Sequence, residues 1–181
     1  MNVCAAVLAI TAVAITPSIA FAANTINFNG EVTSQTCSAV INGLADPTVL
    51  LDSVSVDALH GNAGSVAGET PFSLRLTGCV ASTTGDQHFA TVFQAVNATP
   101  AGNLANTAVG GATGVALQLL DRAGGNRLNL AGNAAVRAGD IVLPSGQTTV
   151  SYDYAVRYVA EAVSVTPGPV LGSVTYTVRY E

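Results

Sequence analysis

The chain has 181 residues, enough for one domain of ordinary size with a sizeable core. Hydrophobic residues make up 49% and charged residues only 9%, and eleven acidic residues against six arginines, with no lysine, leave a net charge of -5. Nothing in that balance attracts a phosphate backbone, which excludes nucleic acid as a partner.

The chain begins with an uncharged apolar run, VCAAVLAITAVAI, followed by Pro17 and then by Ala20-Phe21-Ala22, which has the small-x-small form of a cleavage site. Residues 1–22 are therefore expected to be a signal peptide, with the mature chain starting at Ala23. Only the α-amino group supplies positive charge ahead of the run, which points to a start codon further upstream. An uncleaved anchor is the alternative, because residues 3–23 approach spanning length. Pro17 and the lack of flanking Arg or Lys weigh against it.

Export changes how the cysteines are read. Cys4 leaves with the signal, and Cys37 and Cys79 remain as the only possible pair in an oxidising compartment. Closing a loop of that length stabilises a fold by about 4 kcal/mol in the chain-entropy model. Zinc is a poor rival, since two distant cysteines with His60 and His88 lack the close ligand pairs of structural zinc sites.

Along the mature chain the hydrophobic period is two almost everywhere. Ile26, Phe28, Gly30 and Val32 alternate in TINFNGEV; Phe72, Leu74 and Leu76 in PFSLRL; Val115, Leu117 and Leu119 in VALQLL; and Tyr152, Tyr154, Val156 and Tyr158 in VSYDYAVRYV. Between them lie turn-forming clusters such as HGNAGSVAG, NATPAGNLANTAVGGATG and DRAGGNR. No stretch carries a long amphipathic helix. The pattern predicts an all-β sandwich of about seven or eight short strands whose inner faces supply the core.

The search for a chemical site returns little. His60 and His88 read as loop or strand-edge residues, Asp121 as a turn residue after a strand, and Asp52 and Asp57 as too far apart along a strand to work as a pair. The GGATG stretch is no phosphate loop, because no Lys follows and no helix opens there. By elimination the chain reads as a structural or binding protein, without a cofactor or catalytic residues.

The two ends of the mature chain carry a complementary pair of features. SVTYTVRYE places Val174, Tyr176, Val178 and Tyr180 on one face of an extended strand with no further strand-forming sequence after it. TINFNGEV is spare strand-forming sequence ahead of Cys37. Each subunit could donate the second to the edge of the first in the next chain, which is strand addition between molecules.

These residues resemble the pilins assembled by the chaperone-usher pathway, especially those of type 1 fimbriae. The likeness covers nearly the whole mature chain: FNGEV with Cys37 close behind, VLLDSVSVDAL, FSLRLTGC with the second Cys, GVALQLLD, YAVRYVA, and PGPVLGSVTYTVRYE. Pilins of this kind carry a penultimate Tyr and a Gly fourteenth from the C-terminus, which are here Tyr180 and Gly168.

The resemblance implies an incomplete immunoglobulin-like β-sandwich, completed by a donor strand from a neighbouring subunit. Residues 23–32 would be the donor extension, running into the first strand, with Ile26, Phe28, Gly30 and Val32 as its inward positions and Gly30 the small residue over a shallow part of the groove. Residues 33–181 would be the pilin domain. Gly168, Val174, Tyr176, Val178, Tyr180 and Glu181 would form the acceptor edge, held first by a periplasmic chaperone that grips the C-terminal carboxylate. An outer-membrane usher would then direct polymerisation into a fimbria on the bacterial surface, with copies of this chain or other pilin subunits. A minor adaptor or a tip adhesin binding a host glycan is the alternative. The mature chain has room for one domain, which favours a shaft or adaptor subunit over an adhesin.

Overall fold

The computed structural model describes residues 36–45 and 47–181. The strands are β1 (Ser38–Ile41), β2 (Val66–Thr77), β3 (Gln87–Ala95), β4 (Leu104–Ala105), β5 (Val115–Leu120), β6 (Ala135–Leu143), β7 (Val150–Ala160) and β8 (Val174–Tyr180). Two 3-10 turns, Val56–Ala58 and Ala131–Asn133, are the helical pieces among the described residues. The strands form a five-stranded sheet in the order β1-β2-β7-β5-β4 and a three-stranded sheet in the order β6-β3-β8, every ladder antiparallel. This is the all-β sandwich that the alternating pattern predicts.

Alternation decides which side chains enter the core. Phe72, Leu74 and Leu76 of β2 point inward and are buried, while Arg75 is exposed. Phe89, Thr91 and Phe93 of β3 come down on them from the other sheet. β5 departs from the expected half-buried strand: all six of its residues are buried. Its outward Gln118 is covered by Arg157, which donates to the Gln118 amide oxygen at 3.0 and 2.7 Å, and by Asn103, which accepts from the amide nitrogen at 3.2 Å.

Tyr154 is the largest fully buried side chain, stacked on Phe72 at 5.8 Å and edge-on to Phe93 at 5.0 Å between ring centroids. A buried phenol needs a partner. The Tyr154 hydroxyl donates to Thr91 Oγ1 (2.8 Å) and also lies 3.2 Å from the Ala138 carbonyl. Burial pushes its pKa up to about 12. The β3–β6 register shifts between Phe89 and Thr91, and Gly139 sits there at φ +75°. A Cβ on Gly139 would meet the Tyr154 hydroxyl at 2.6 Å, so both the backbone angle and the close approach require glycine.

The segment 47–55, expected as a strand around Asp52, has no ladder among the described residues, and Asp57 lies in the 3-10 turn. The segment is nevertheless extended in its burial pattern, with Val49, Leu51 and Val54 turned toward the core and Leu50 83% exposed. The alternating residues 26–32 lie outside the described residues.

Cys37 and Cys79 are joined in a disulfide that ties the chain ahead of β1 to the end of β2 across 42 residues of sequence. Thiol labelling of the unfolded, unreduced mature protein should therefore find neither cysteine free. Replacing both with serine should lower unfolding free energy by about 4 kcal/mol on a urea titration. A loss below about 1 kcal/mol would show that the bridge does not constrain the unfolded chain.

Candidate functional site: an open edge over the core

β8 is the last strand of its sheet. β3 pairs it along one side, from Ala95↔Val174 to Phe89↔Tyr180, and among the described residues no strand pairs its other side. Opposite that edge, in the facing layer, run β1 and the extended segment after it. Val174, Tyr176 and Val178 from β8, and Ala39, Val49 and Leu51 from the opposite rim, pack against the core yet are only half-buried. Leu74 and Leu76, beneath them on β2, are fully buried. The result is an apolar groove between two rims, bridged where the Tyr176 hydroxyl donates to the Ala45 carbonyl at 3.2 Å.

A cavity of about 220 Å³ lies beside the loop that leads into β8, lined by Val54, Leu59, Tyr158, Val165, Gly168 and Val170. Gly168 is there because two loops touch: a Cβ would lie 2.5 Å from the Ala112 nitrogen and 2.8 Å from the Gly111 carbonyl carbon. Asn106 fixes the same junction. Its side-chain nitrogen donates to the Ala112 (2.8 Å) and Pro169 (3.1 Å) carbonyls, and its oxygen accepts from the Leu171 (2.9 Å) and Ala108 (3.1 Å) amides. Sequence reasoning missed Asn106; its place inside a Gly- and Asn-rich cluster marked it only as loop.

At the other end of β8, Tyr180 is 38% exposed and packs edge-on against Phe89 at 5.5 Å. The backbone N–H of Glu181 donates to the His88 carbonyl (2.9 Å), extending the ladder by one bond. The Glu181 side chain turns out of the groove to a forked pair with the Arg137 guanidinium, whose hydrogen bonds hold its carboxyl below the usual carboxylate range. Beside it His88 Nδ1 lies 2.9 Å from an Asp140 oxygen, both side chains well exposed. Of the predicted acceptor residues, the structure brings Val174, Tyr176, Val178 and Tyr180 onto one rim and Gly168 to its far end, while the Glu181 side chain faces outward. The predicted donor residues Ile26, Phe28, Gly30 and Val32 lie outside the described residues.

The remaining polar candidates are dispersed. His60 is exposed in a loop, and the Asp121 carboxylate closes a turn by accepting from the Asn126 amide at 2.8 Å. No group of His, Cys, Asp and Glu among the described residues could hold a metal ion.

The His88–Asp140 pair gives a direct pH test. Its hydrogen bond and charge attraction raise the His88 pKa above 6.5. A raised pKa means the pair stabilises the fold fully below that ordinary value and is lost as pH climbs through the folded midpoint. An NMR titration should place the His88 midpoint above its ordinary value, and Asp140→Asn should lower it, because Asp140 is the largest of the groups that raise it. An unchanged midpoint in the variant would show that Asp140 is not the cause.

Residues 26–181 match the family model described as Fimbrial protein, and the chain belongs to that family. It is similar to the F17 fimbrial protein of Escherichia coli, 37% identical over 159 residues that cover 86% of each chain. It is likewise similar to the major fimbrial subunit SMF-1 of Stenotrophomonas maltophilia (strain K279a), 40% identical over 165 residues, 86% of this chain and 91% of that one. Among solved structures, a chain of a chaperone-usher pilus shares the fold, with a TM-score of 0.59 at 16% identity over 92% of this chain and 100% of that chain.

The chain is thus a structural fimbrial subunit, of a family whose members polymerise with other pilin subunits into fimbriae at the cell surface. The relatives it matches over most of their length are fimbrial subunits, which leaves the tip-adhesin alternative less favoured.

Proposed function

We propose that this subunit polymerises by donor-strand exchange: residues 23–32 of one copy fill the groove beside β8 of another. The observation that carries the reading is the row Val174, Tyr176 and Val178, turned toward the core but only half-buried along a strand paired on one side. A strand laid there gains a ladder of backbone hydrogen bonds and buries alternate side chains, each worth about 1.5–3 kcal/mol when fully covered. Antiparallel pairing, the commoner and more stable arrangement, sets the direction. It carries Ile26 toward the Tyr180 end and Val32 toward the Val174 end, with Gly30 between them.

Before that exchange the same edge needs a temporary occupant, because an exposed apolar edge aggregates. A periplasmic chaperone lending a strand and gripping the C-terminal carboxylate, followed by an outer-membrane usher, fits this need. The signal-like residues 1–22 would bring the chain to that compartment. Supporting cell adhesion through the assembled fibre is the biological role in this reading.

Fusing a copy of NTINFNGEV behind Glu181 through a short flexible linker tests the groove directly. Glu181 lies where an antiparallel donor would start, so the linker needs only to make a hairpin, and it holds the strand at about millimolar effective concentration. The fused chain should be a monomer with a higher melting temperature than the unfused chain. Equal melting temperatures, with both chains monomeric, would mean that no groove is waiting to be filled.

A further inference from the structure

The loops where β8 begins form an apolar rim outside the groove. Val109 is 99% exposed at the tip of one turn, Val163 is 63% exposed at the tip of another, and Leu171 is 54% exposed between them and β8. Exposed apolar tips on floppy loops would mean little, but these loops are laced together. The Thr107 amide donates to the Leu171 carbonyl at 2.8 Å, the Ala112 amide to the Pro169 carbonyl at 3.0 Å and the Thr113 amide to Thr166 Oγ1 at 2.9 Å, around the Asn106 junction.

We infer that this rim seats the body of the next copy of the chain in the fibre, a second contact beside the inserted strand. The inference rests on the donor-strand reading, and the geometry follows from it in three steps. An antiparallel donor runs toward the start of β8, so its Val32 finishes at the rim. Four peptide steps separate Val32 from Thr36, which span at most about 14 Å. Thr36 is itself fastened to the body, its hydroxyl donating to the Gly78 carbonyl at 2.9 Å and its neighbour Cys37 bonded to Cys79.

The donating copy therefore cannot hang away on a long leash. A domain of this size has a radius of gyration of about 15 Å. Its Cys37–Cys79 end must then lie against the acceptor's rim. That end is also preordered: the Ser145 amide donates to Asp86 Oδ1 at 3.0 Å, the Ser145 hydroxyl to the Ser82 carbonyl at 2.9 Å and the Gly146 amide to the same carbonyl at 2.9 Å. Two stiff faces, joined by a short tether, bury Val109, Val163 and Leu171 between them.

The test uses fibres sheared from cells producing the full chain. A photoreactive benzoylphenylalanine placed at Val109 should cross-link to residues 78–86 or 144–147 of another copy. Fibres of the double variant Val109→Asp, Leu171→Asp should release about tenfold more free subunit than unsubstituted fibres on the same heating. In parallel, a peptide of residues 23–32 is added to refolded subunit, and it should raise the melting temperature of variant and unsubstituted chain alike. Stabilisation of both by the peptide, with equal release on heating and no cross-link to those residues, overturns the rim contact and leaves the donor strand standing. If the peptide stabilises neither, the donor-strand reading fails and takes the rim contact with it. If it stabilises only the unsubstituted chain, the double variant has lost its fold and the cross-link alone decides, for or against.

Discussion

Every strand of an antiparallel sandwich except those at the edges has two ladders, and the edges are where such a fold is vulnerable. Here the edge along β8 also carries apolar side chains that the core covers only in part. Along β8, backbone N–H and C=O groups face outward on the side away from β3, while Val174, Tyr176 and Val178 press inward without being enclosed. Solvent can satisfy the polar groups but not the apolar row, and a short peptide strand satisfies both at once. In the donor-strand reading, that combination makes the edge a receptor for a strand and not simply an unfinished sheet.

A receptor of this kind works only if its walls hold their spacing while it is empty. Tyr154 ties the two sheets together at their centre, packing on Phe72 from one layer and Phe93 from the other while its hydroxyl reaches Thr91. The disulfide holds the beginning of β1 to the end of β2, which keeps one rim in place at its lower end. At the upper end the Asn106 side chain, with four hydrogen bonds, joins the loop before β5 to the loop before β8. Each clamp acts on the backbone flanking the groove, and none occupies it.

How legible this was in the sequence follows from which forces act locally. The strands around Phe72, Leu117, Tyr154 and Val178 announce themselves because alternation is a local consequence of the pleat. The disulfide was legible because two cysteines leave one pairing. The full burial of β5 was not, since covering Gln118 depends on Arg157, 39 residues away, and on a loop that carries no period. The segment 47–55 alternates as a strand does but finds no ladder among the described residues, so pattern alone overstated it. The rim built on Asn106 was invisible for the same reason: its bonds join residues about 65 apart, inside stretches whose composition says only "turn".

The same geometry decides whether a chain could fill its own groove. β2 runs down to the Cys79 end and β3 leaves from it, and β8 finishes beside the start of β3, so Thr36 and Tyr180 lie at one end of the sandwich. For its own residues 23–32 to pair antiparallel with β8, Val32 would have to sit near the opposite end, beyond Val174. Val174 to Tyr180 alone is six steps of about 3.3 Å, or about 20 Å, against at most about 14 Å of reach from Thr36. Antiparallel self-completion is therefore out of range, while another copy approaching from the rim side meets no such limit. In the donor-strand reading the donor leaves from one end and is received at the other, so the contact is head-to-tail and has no rotation that must close it. Repeating it builds an open fibre and not a ring or a dimer.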